Sequence, residues 1–375
     1  MKVLLAGGGT AGHINPAIAI AQVIKAHNKD AEILFVGNEG GLEQRLVPEA
    51  GFEIKSVSIR GFKRSLSPKA LAENVGTAFK AVTASKAAKK IIKKFAPDIC
   101  VGTGGYVSGP VIRAAQKLGI PTVVHEQNAY PGVTNKMLSK NAKAVMLAMD
   151  AAREHLDKNC NFVLTGNPVR SQIISATEKQ AARKALNLDS RPVVLSFGGS
   201  MGARKINENM APLLARSGND NKYQHIHAYG KYGLWFPELV KEKGADIEQC
   251  RNLDVREYIN NMDLCMAAAD LVVCRCGAIT LTEIQIMGKP SVLIPSPTVA
   301  ENHQFHNAMA LVRENAASVI EEKDLTPERL TEEIDRLLSD SKLLAQYERN
   351  AKSMAISDAN ERIYKVIEEV LSKNN

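Results

Sequence analysis

Val3-Leu4-Leu5-Ala6-Gly7-Gly8-Gly9-Thr10-Ala11-Gly12-His13 is an apolar run that ends in a glycine-rich turn and opens into a helical pattern. The same order of events recurs at Val193-Val194-Leu195-Ser196-Phe197-Gly198-Gly199-Ser200-Met201-Gly202-Ala203-Arg204-Lys205-Ile206-Asn207. Short apolar, β-branched runs bounded by glycine read as buried strands, and the glycines free the backbone for a tight turn. Outward from the first turn, KVLLA, EILFVG, DICVGT and PTVVHE read as strands, with helices over 16–27 and 110–118. Outward from the second, VVLSFG, QHIHAYG, LVVC, SVLIP and ASVIE follow, with helices over 205–215, 279–287 (stopped by Gly288) and 301–314. Beyond Asp324 the pattern is mostly helical. Strands that alternate with helices argue for an α/β protein with parallel sheets. Two such series, joined near Pro168, predict two similar halves with a cleft between them.

The totals agree with that division. A chain of 375 residues is long for one ordinary domain, and 45% hydrophobic with 23% charged residues is a globular balance. Aromatics are 5%, with Trp235 the single tryptophan, which argues against a stacking platform for nucleic acid. Cys100, Cys160, Cys250, Cys265, Cys274 and Cys276 form no C-x-x-C pair, so they read as reduced thiols and favour the cytoplasm. The glycines, His13 and Asn15 interrupt what would otherwise resemble a signal peptide, and no apolar run approaches the ~18 residues of a membrane span.

Charge is concentrated. Arg60, Lys63, Arg64, Lys69, Lys80, Lys86, Lys89, Lys90, Lys93 and Lys94 face one acid, Glu73, a local +9 against +8 for the whole chain. From Phe79 onward, Val82, Ala88, Ile91 and Phe95 fall near one helical face with lysines on the rest. An ordinary amphipathic surface helix explains that pattern. With Phe62 and Leu66 added, a basic and apolar patch for anionic lipid explains it more fully.

Four glycine-bearing junctions carry the chemistry. Gly7, Gly9 and Gly12 satisfy G-x-G-x-x-G, which brings a ligand phosphate to backbone N–H groups at a positive helix terminus. That pattern alone would admit a dinucleotide-dependent oxidoreductase, although Asn38 stands where the fingerprint wants an acid. His13 sits where the helix dipole disfavours an imidazolium, so a neutral base fits there, with a capping role as the bland alternative. Gly102-Thr103-Gly104-Gly105-Tyr106-Val107-Ser108-Gly109-Pro110 is a second strand-to-helix loop, readable equally as a packing turn. Arg204 and Lys205 lie at a helix N-terminus, an electrostatic conflict that an anion on Ser200 and the loop amides would relieve. In Cys274-Arg275-Cys276-Gly277-Ala278-Ile279-Thr280-Leu281-Thr282-Glu283, the carboxylate could hold a ribose diol, while Thr280 to Glu283 also spells a capping box. No Asp-x-Asp and no histidine cluster with metal spacing occurs, so neither a metal nor another cofactor is expected. A leaving diphosphate would then be neutralised by amides, helix termini and cations.

In this order, GGGTAGHINPAIA, GTGGYVSGP, HEQNAYPGVTN, TGNPVR, FGGSMGARKIN and CRCGAITLTE span nearly the whole chain. Together they resemble the MurG family, bacterial peptidoglycan N-acetylglucosaminyltransferases. The resemblance implies a GT-B fold, two Rossmann-like domains with parallel sheets facing across a cleft. It implies an acceptor domain over 1–165, a donor domain over 166–345, and helices over 346–375 that pack back on the first domain. It implies inverting transfer of GlcNAc from UDP-GlcNAc to lipid I, undecaprenyl-diphosphate-MurNAc-pentapeptide, on the inner face of the plasma membrane. By the same resemblance His13 is the catalytic base, and Ser200, Arg170, Ile259, Ala278, Ile279, Thr280, Leu281, Thr282, Glu283 and Gln304 bind the donor. Thr10, Ala11, Gly12 and Asn128 add to the donor side, and Gly9, Gly104, Gly105 and Tyr106 receive the acceptor diphosphate. A UDP-GlcNAc 2-epimerase and a peripheral lipid-binding module are the rival readings. Ala11, Cys276 and His303 depart from the commoner family residues.

Overall fold

The structure, a computed structural model, describes residues 1–59, 68–175 and 177–373, with the backbone alone at 68–81 and 171. The chain divides into two compact units, Met1–Val169 with Ile356–Asn375, and Arg170–Ala355.

In the first unit, β1 (Lys2–Gly7), β2 (Glu32–Asn38), β3 (Glu53–Val57), β4 (Ile99–Gly104), β5 (Thr122–Glu126), β6 (Ala144–Leu147) and β7 (Phe162–Leu164) form one sheet. Their order is β3-β2-β1-β4-β5-β6-β7, and every neighbouring pair is parallel. In the second, β8 (Val193–Phe197), β9 (Gln224–Ala228), β10 (Leu253–Arg256), β11 (Leu271–Cys274), β12 (Ser291–Leu293) and β13 (Ser318–Val319) run parallel in the order β10-β9-β8-β11-β12-β13. Each order reverses its direction of travel beside its first strand, between β1 and β4 and between β8 and β11. In open α/β sheets the crevice beyond the carboxyl ends of such a pair is where ligands bind. All four glycine-bearing junctions read in the sequence follow one of these four strands.

The burial explains why the central strands read as unbroken apolar runs. Helices cover both faces, so alternate β1 side chains enter two different cores. Val3 and Leu5 pack with Ile14, Ile20 and Phe35, while Leu4 and Ala6 pack with Ile92, Cys100 and Val111. In the second unit Val194, Leu271, Val273 and Val292 pack with Ile206, Met210, Phe236 and Leu330. The helix Ala359–Ser372 belongs to the first unit, where Ile363, Val366 and Ile367 join Ile20 and Ile24 in one core. There the His27 ring stacks on Tyr364 at 4.2 Å, and its Nε2 lies 3.0 Å from Glu361.

One local expectation changes. The helix Pro68–Phe95 buries Ala84, Ala88 and Ile92, and Val82 is 56% exposed. Six residues at roughly 100° each separate Val82 from Ala88 by about 120° around the helix, which places Val82 on the lysine face. Arg60, Phe62, Lys63, Arg64 and Leu66 lie outside the described residues, as do the side chains of Lys69, Glu73, Phe79 and Lys80. Among the described residues no helix is long and apolar enough to cross a membrane.

Candidate active site

In the first unit two glycine loops interlock. Gly9, Gly104 and Gly105 have φ of 86°, 101° and 79°, a region that L side chains rarely adopt. A Cβ on Gly105 would lie 2.0 Å from the Gly8 carbonyl oxygen, so nothing larger fits. The Gly8 amide donates to Gly104 O at 3.4 Å, and Thr103 Oγ1 donates to the His13 carbonyl at 2.8 Å. Thr10 is the N-cap of the helix Ala11–His27, and Ala11 is helical, so its alanine needs no left-handed backbone. Behind the first loop Glu43 is fully buried and accepts from the amides of Asn38 at 2.8 Å and Gly9 at 3.3 Å. Tyr106 stands over Gly9, and its hydroxyl accepts from Asn38 Nδ2 at 3.4 Å. Burial pushes the Tyr106 phenol up from its ordinary pKa.

The segment after β5 completes this edge. Glu126, also buried, accepts from the backbone and side-chain nitrogens of Asn128 at 3.0 and 3.1 Å. Its other oxygen accepts from Gly132 N at 3.2 Å and Asn135 Nδ2 at 2.8 Å. Four bonds to one carboxylate fix the loop that carries Asn128. Gln127 reaches the other way, to His13 Nδ1 at 3.4 Å. His125, wholly buried, is held neutral by desolvation with its pKa pushed down to about 4.

In the second unit β8 runs through Gly198 to Ala203 into the helix Arg204–Asp220. Ser200 is exposed in that turn. Arg204 donates to Glu208 at 2.7 Å and Lys205 lies 3.4 Å from the same carboxylate. The electrostatic conflict read from the sequence is therefore already relieved within the helix by Glu208. A cavity of about 460 Å³ opens beside the turn, lined by Gly198, Gly199, Gly202, Arg204, Arg275, Thr280, Ser296, Thr298 and Gln304 among others. Gln304 Oε1 accepts from Ser296 N at 2.9 Å and Cys276 N at 3.3 Å. Its oxygen is thus committed to the backbone, and the amide nitrogen is the end left to donate. Glu301 and Asn302, just before it, hold φ of 53° and 48°, strain of the kind that clusters at ligand clamps.

The capping box does not form. The helix Ala278–Met287 starts at Gly277 with no side-chain cap, which puts Thr280 inside the first turn. Glu283 instead accepts from Arg170 Nη2 at 2.6 Å and Nε at 3.2 Å. Burial raises the Glu283 pKa, and Arg170 opposes that shift. Leu281 and Ile259 are buried side chains, whereas Ile279 and Thr280 are partly open. Sequence reading passed over Arg275, Ser296 and Thr298. Arg275 donates to the carbonyls of Ile294 and Pro295, each at 3.2 Å, and pairs with Glu322. Its place inside the Cys274-to-Glu283 motif was the available signal. Among the described residues no cluster of three or more His, Cys, Asp or Glu could hold a metal ion.

Two Rossmann-like units, each closing its switch point with glycine turns, are the architecture of the GT-B fold. The N-terminal domain model of glycosyltransferase family 28 matches residues 3–147, and its C-terminal domain model matches residues 193–363. The UDP-N-acetylglucosamine–N-acetylmuramyl-(pentapeptide) pyrophosphoryl-undecaprenol N-acetylglucosamine transferase of Acetivibrio thermocellus is 48% identical, covering 99% of this chain and 98% of that protein. The crystal structure of Acinetobacter baumannii MurG superposes with a TM-score of 0.79 at 29% identity, over 98% of this chain and 99% of that one. UDP-GlcNAc 2-epimerase from Neisseria meningitidis has a TM-score of 0.64 at 15% identity over the full length of both, a likeness of fold alone. The chain belongs to glycosyltransferase family 28 and, within it, to the MurG family of N-acetylglucosamine transferases.

Proposed function

We propose that the chain transfers GlcNAc from UDP-GlcNAc to the 4-hydroxyl of lipid I, with inversion at the anomeric carbon, and so makes lipid II. The observation that carries the reading is the placement of all four motif loops at the carboxyl ends of β1, β4, β8 and β11, in a chain whose full-length relative bears that transferase name. The second unit takes the donor. Glu283, positioned by Arg170, accepts from the ribose hydroxyls. Ser200, the turn amides and the N-terminus of the helix Ala278–Met287 receive the diphosphate, and Gln304 donates to the sugar. The first unit takes the acceptor, with Gly104, Gly105 and Tyr106 toward its diphosphate and His13 toward the attacking hydroxyl. In the step itself the acceptor O–H proton passes to His13 and the oxygen bonds to the anomeric carbon. The bond to UDP breaks, and its electron pair leaves on the diphosphate.

The exposed Lys86, Lys90, Lys93 and Lys94, with Val82 beside them, are the described part of a surface that rests on anionic lipid. The deciding experiment measures UDP release from UDP-GlcNAc with and without a soluble lipid I analogue. Acceptor-dependent release with GlcNAc in the lipid product is the expected result. Donor binding without such release points to epimerase chemistry, and absent donor binding overturns the reading. Vesicles with anionic lipid should bind the protein more strongly than neutral ones, and Lys90→Glu with Lys94→Glu should reduce the difference.

A further inference from the structure

We propose that Gln127, itself oriented by His125, is a positioning residue that keeps the ring proton of His13 on Nδ1 and leaves Nε2 as the basic atom. The inference rests on the reading of His13 as the base and adds what makes one particular nitrogen available. Two backbone carbonyls fix the chain of contacts. The first is the His125 carbonyl, which lies 2.9 Å from Gln127 Nε2. A carbonyl can only accept, so that end of the amide must be the NH2 group, and the end that faces His13 Nδ1 at 3.4 Å must be the oxygen. The second is the Gly166 carbonyl, 3.1 Å from His125 Nε2, which must therefore carry a hydrogen. A wholly buried neutral imidazole has one N–H, so His125 Nδ1 holds a lone pair, and it accepts from Gln127 Nε2 at 3.0 Å. Both hydrogens of the Gln127 amide are then accounted for, and its oxygen has His13 to accept from.

Several further features hold the arrangement. Gln127 is 1% exposed, so water does not compete for its amide. Asn167 Nδ2 donates to the Gln127 carbonyl at 3.3 Å, and Thr165 Oγ1 donates to the Gly166 carbonyl at 3.1 Å. A Cβ on Gly104 would lie 3.0 Å from His13 Nδ1, so glycine there leaves the ring room to meet Gln127. Hydrogen bonds between catalytic groups are commonly long before substrate binds and tighten afterwards, which suits the 3.4 Å separation. The device does for a transferase histidine what a buried carboxylate does elsewhere, with a neutral amide as the orienting group.

The test reads the tautomer directly. Full-length protein labelled with 15N-histidine is examined by NMR at pH 8, with the His13 signals assigned by their loss in His13→Gln. The expected wild-type spectrum shows a protonated Nδ1 and an unprotonated Nε2. Gln127→Leu should move His13 toward the Nε2-protonated form and lower kcat roughly 10- to 100-fold, while KM for UDP-GlcNAc changes less than twofold. Gln127→Glu, protonated on the oxygen that faces the His125 carbonyl, keeps an acceptor toward His13 and should retain the Nδ1 proton and more of kcat than the leucine variant. A wild-type His13 protonated on Nε2 overturns the proposal, as does a Gln127→Leu enzyme with unchanged tautomer and kcat. If the leucine variant fails to fold, the wild-type spectrum and the glutamate variant decide. Full turnover in His13→Ala would instead refute the base reading, a separate outcome that the tautomer spectrum does not share.

Discussion

Gly105→Ala tests whether the two interlocked loops of the first unit position chemistry or merely turn the chain. The added Cβ would sit 2.0 Å from the Gly8 carbonyl oxygen, where carbon and oxygen normally approach no closer than about 3.3 Å. The loops must part by roughly 1 Å, and the Gly8 amide bond to Gly104 O, already 3.4 Å, would break. A displacement of about that size in a catalytic constellation is worth ~10²-fold in rate. The φ of 79° adds strain of ~1–3 kcal/mol, which must be separated from the contact itself. Gly119→Ala supplies that control, because its φ is 75° and nothing lies within 4 Å of its added Cβ. Urea denaturation followed by circular dichroism measures stability, and acceptor-dependent UDP release measures turnover. The control should lose ~1 kcal/mol or a little more and keep its kcat, whereas Gly105→Ala should lose more stability and about 10²-fold in kcat. Equal turnover in the two variants, at equal folded fraction, would refute the reasoning.

His13→Ala should lower kcat by ~10²- to 10⁴-fold with UDP-GlcNAc affinity unchanged, measured by turnover and by calorimetric titration of the donor. Glu283→Ala should instead weaken UDP binding in the same titration, and an unaltered donor affinity would reduce Glu283 to a partner of Arg170. Acid should destabilise the second unit, because burial lowers the pKa of both His225 and His227 to about 3 while the unfolded chain titrates near 6.5. The neutral folded forms leave stability intact above pH 6.5, and it is lost as pH falls from there toward 3, by ~2 kcal/mol per histidine at pH 5. Trp235 lies in that unit and is the only tryptophan, so urea titrations followed by its fluorescence at pH 8 and pH 5 report the loss. An unchanged loss in a His225→Gln, His227→Gln variant would place the acid sensitivity elsewhere.

The parts of the molecule that could be read from the sequence are those that burial forces into a local pattern. β1, β4 and β8 are covered on both faces, so they appear as unbroken apolar runs, and the glycines that end them mark the turns. β7 and β10 are short and only partly buried, and neither Phe162–Leu164 nor Leu253–Arg256 carries a boundary signal strong enough to be seen. Thr280 to Glu283 spelled a capping box because local spacing cannot register a partner 113 positions away, and Arg170 is that partner. Gln127 was hidden for the same reason. Its contacts depend on the carbonyl of Gly166, on the strand ends that bring β5 near that glycine, and on a histidine in the first turn of the helix after β1. Arg275, Ser296 and Thr298 gather only because β11 and β12 are neighbours, which no single motif states.

The two units repeat one construction with different groups behind the glycine turns, and that difference supports the proposed division of roles. Behind the first turn lies Glu43, fully buried, with one oxygen on the Gly9 amide. A carboxylate in that place uses the donor that an incoming phosphate would need and repels a second anion at short range. The turn after β1 therefore suits an uncharged hydroxyl beside His13, which supports the proposal that the acceptor diphosphate meets the neighbouring loop of Gly104, Gly105 and Tyr106. The cavity beside the turn after β8 is lined by Arg204 and Arg275, each held by a carboxylate of its own, Glu208 and Glu322, beside the N-terminus of the helix Ala278–Met287, which no side chain caps. Negative charge grows on the diphosphate as the glycosidic bond to UDP breaks, so cations and helix amides fixed around that position stabilise the transition state more than the bound donor. On the proposed function, the same strand-turn-helix unit would serve the nucleophile in one half and the leaving group in the other, according to which groups stand behind the glycines.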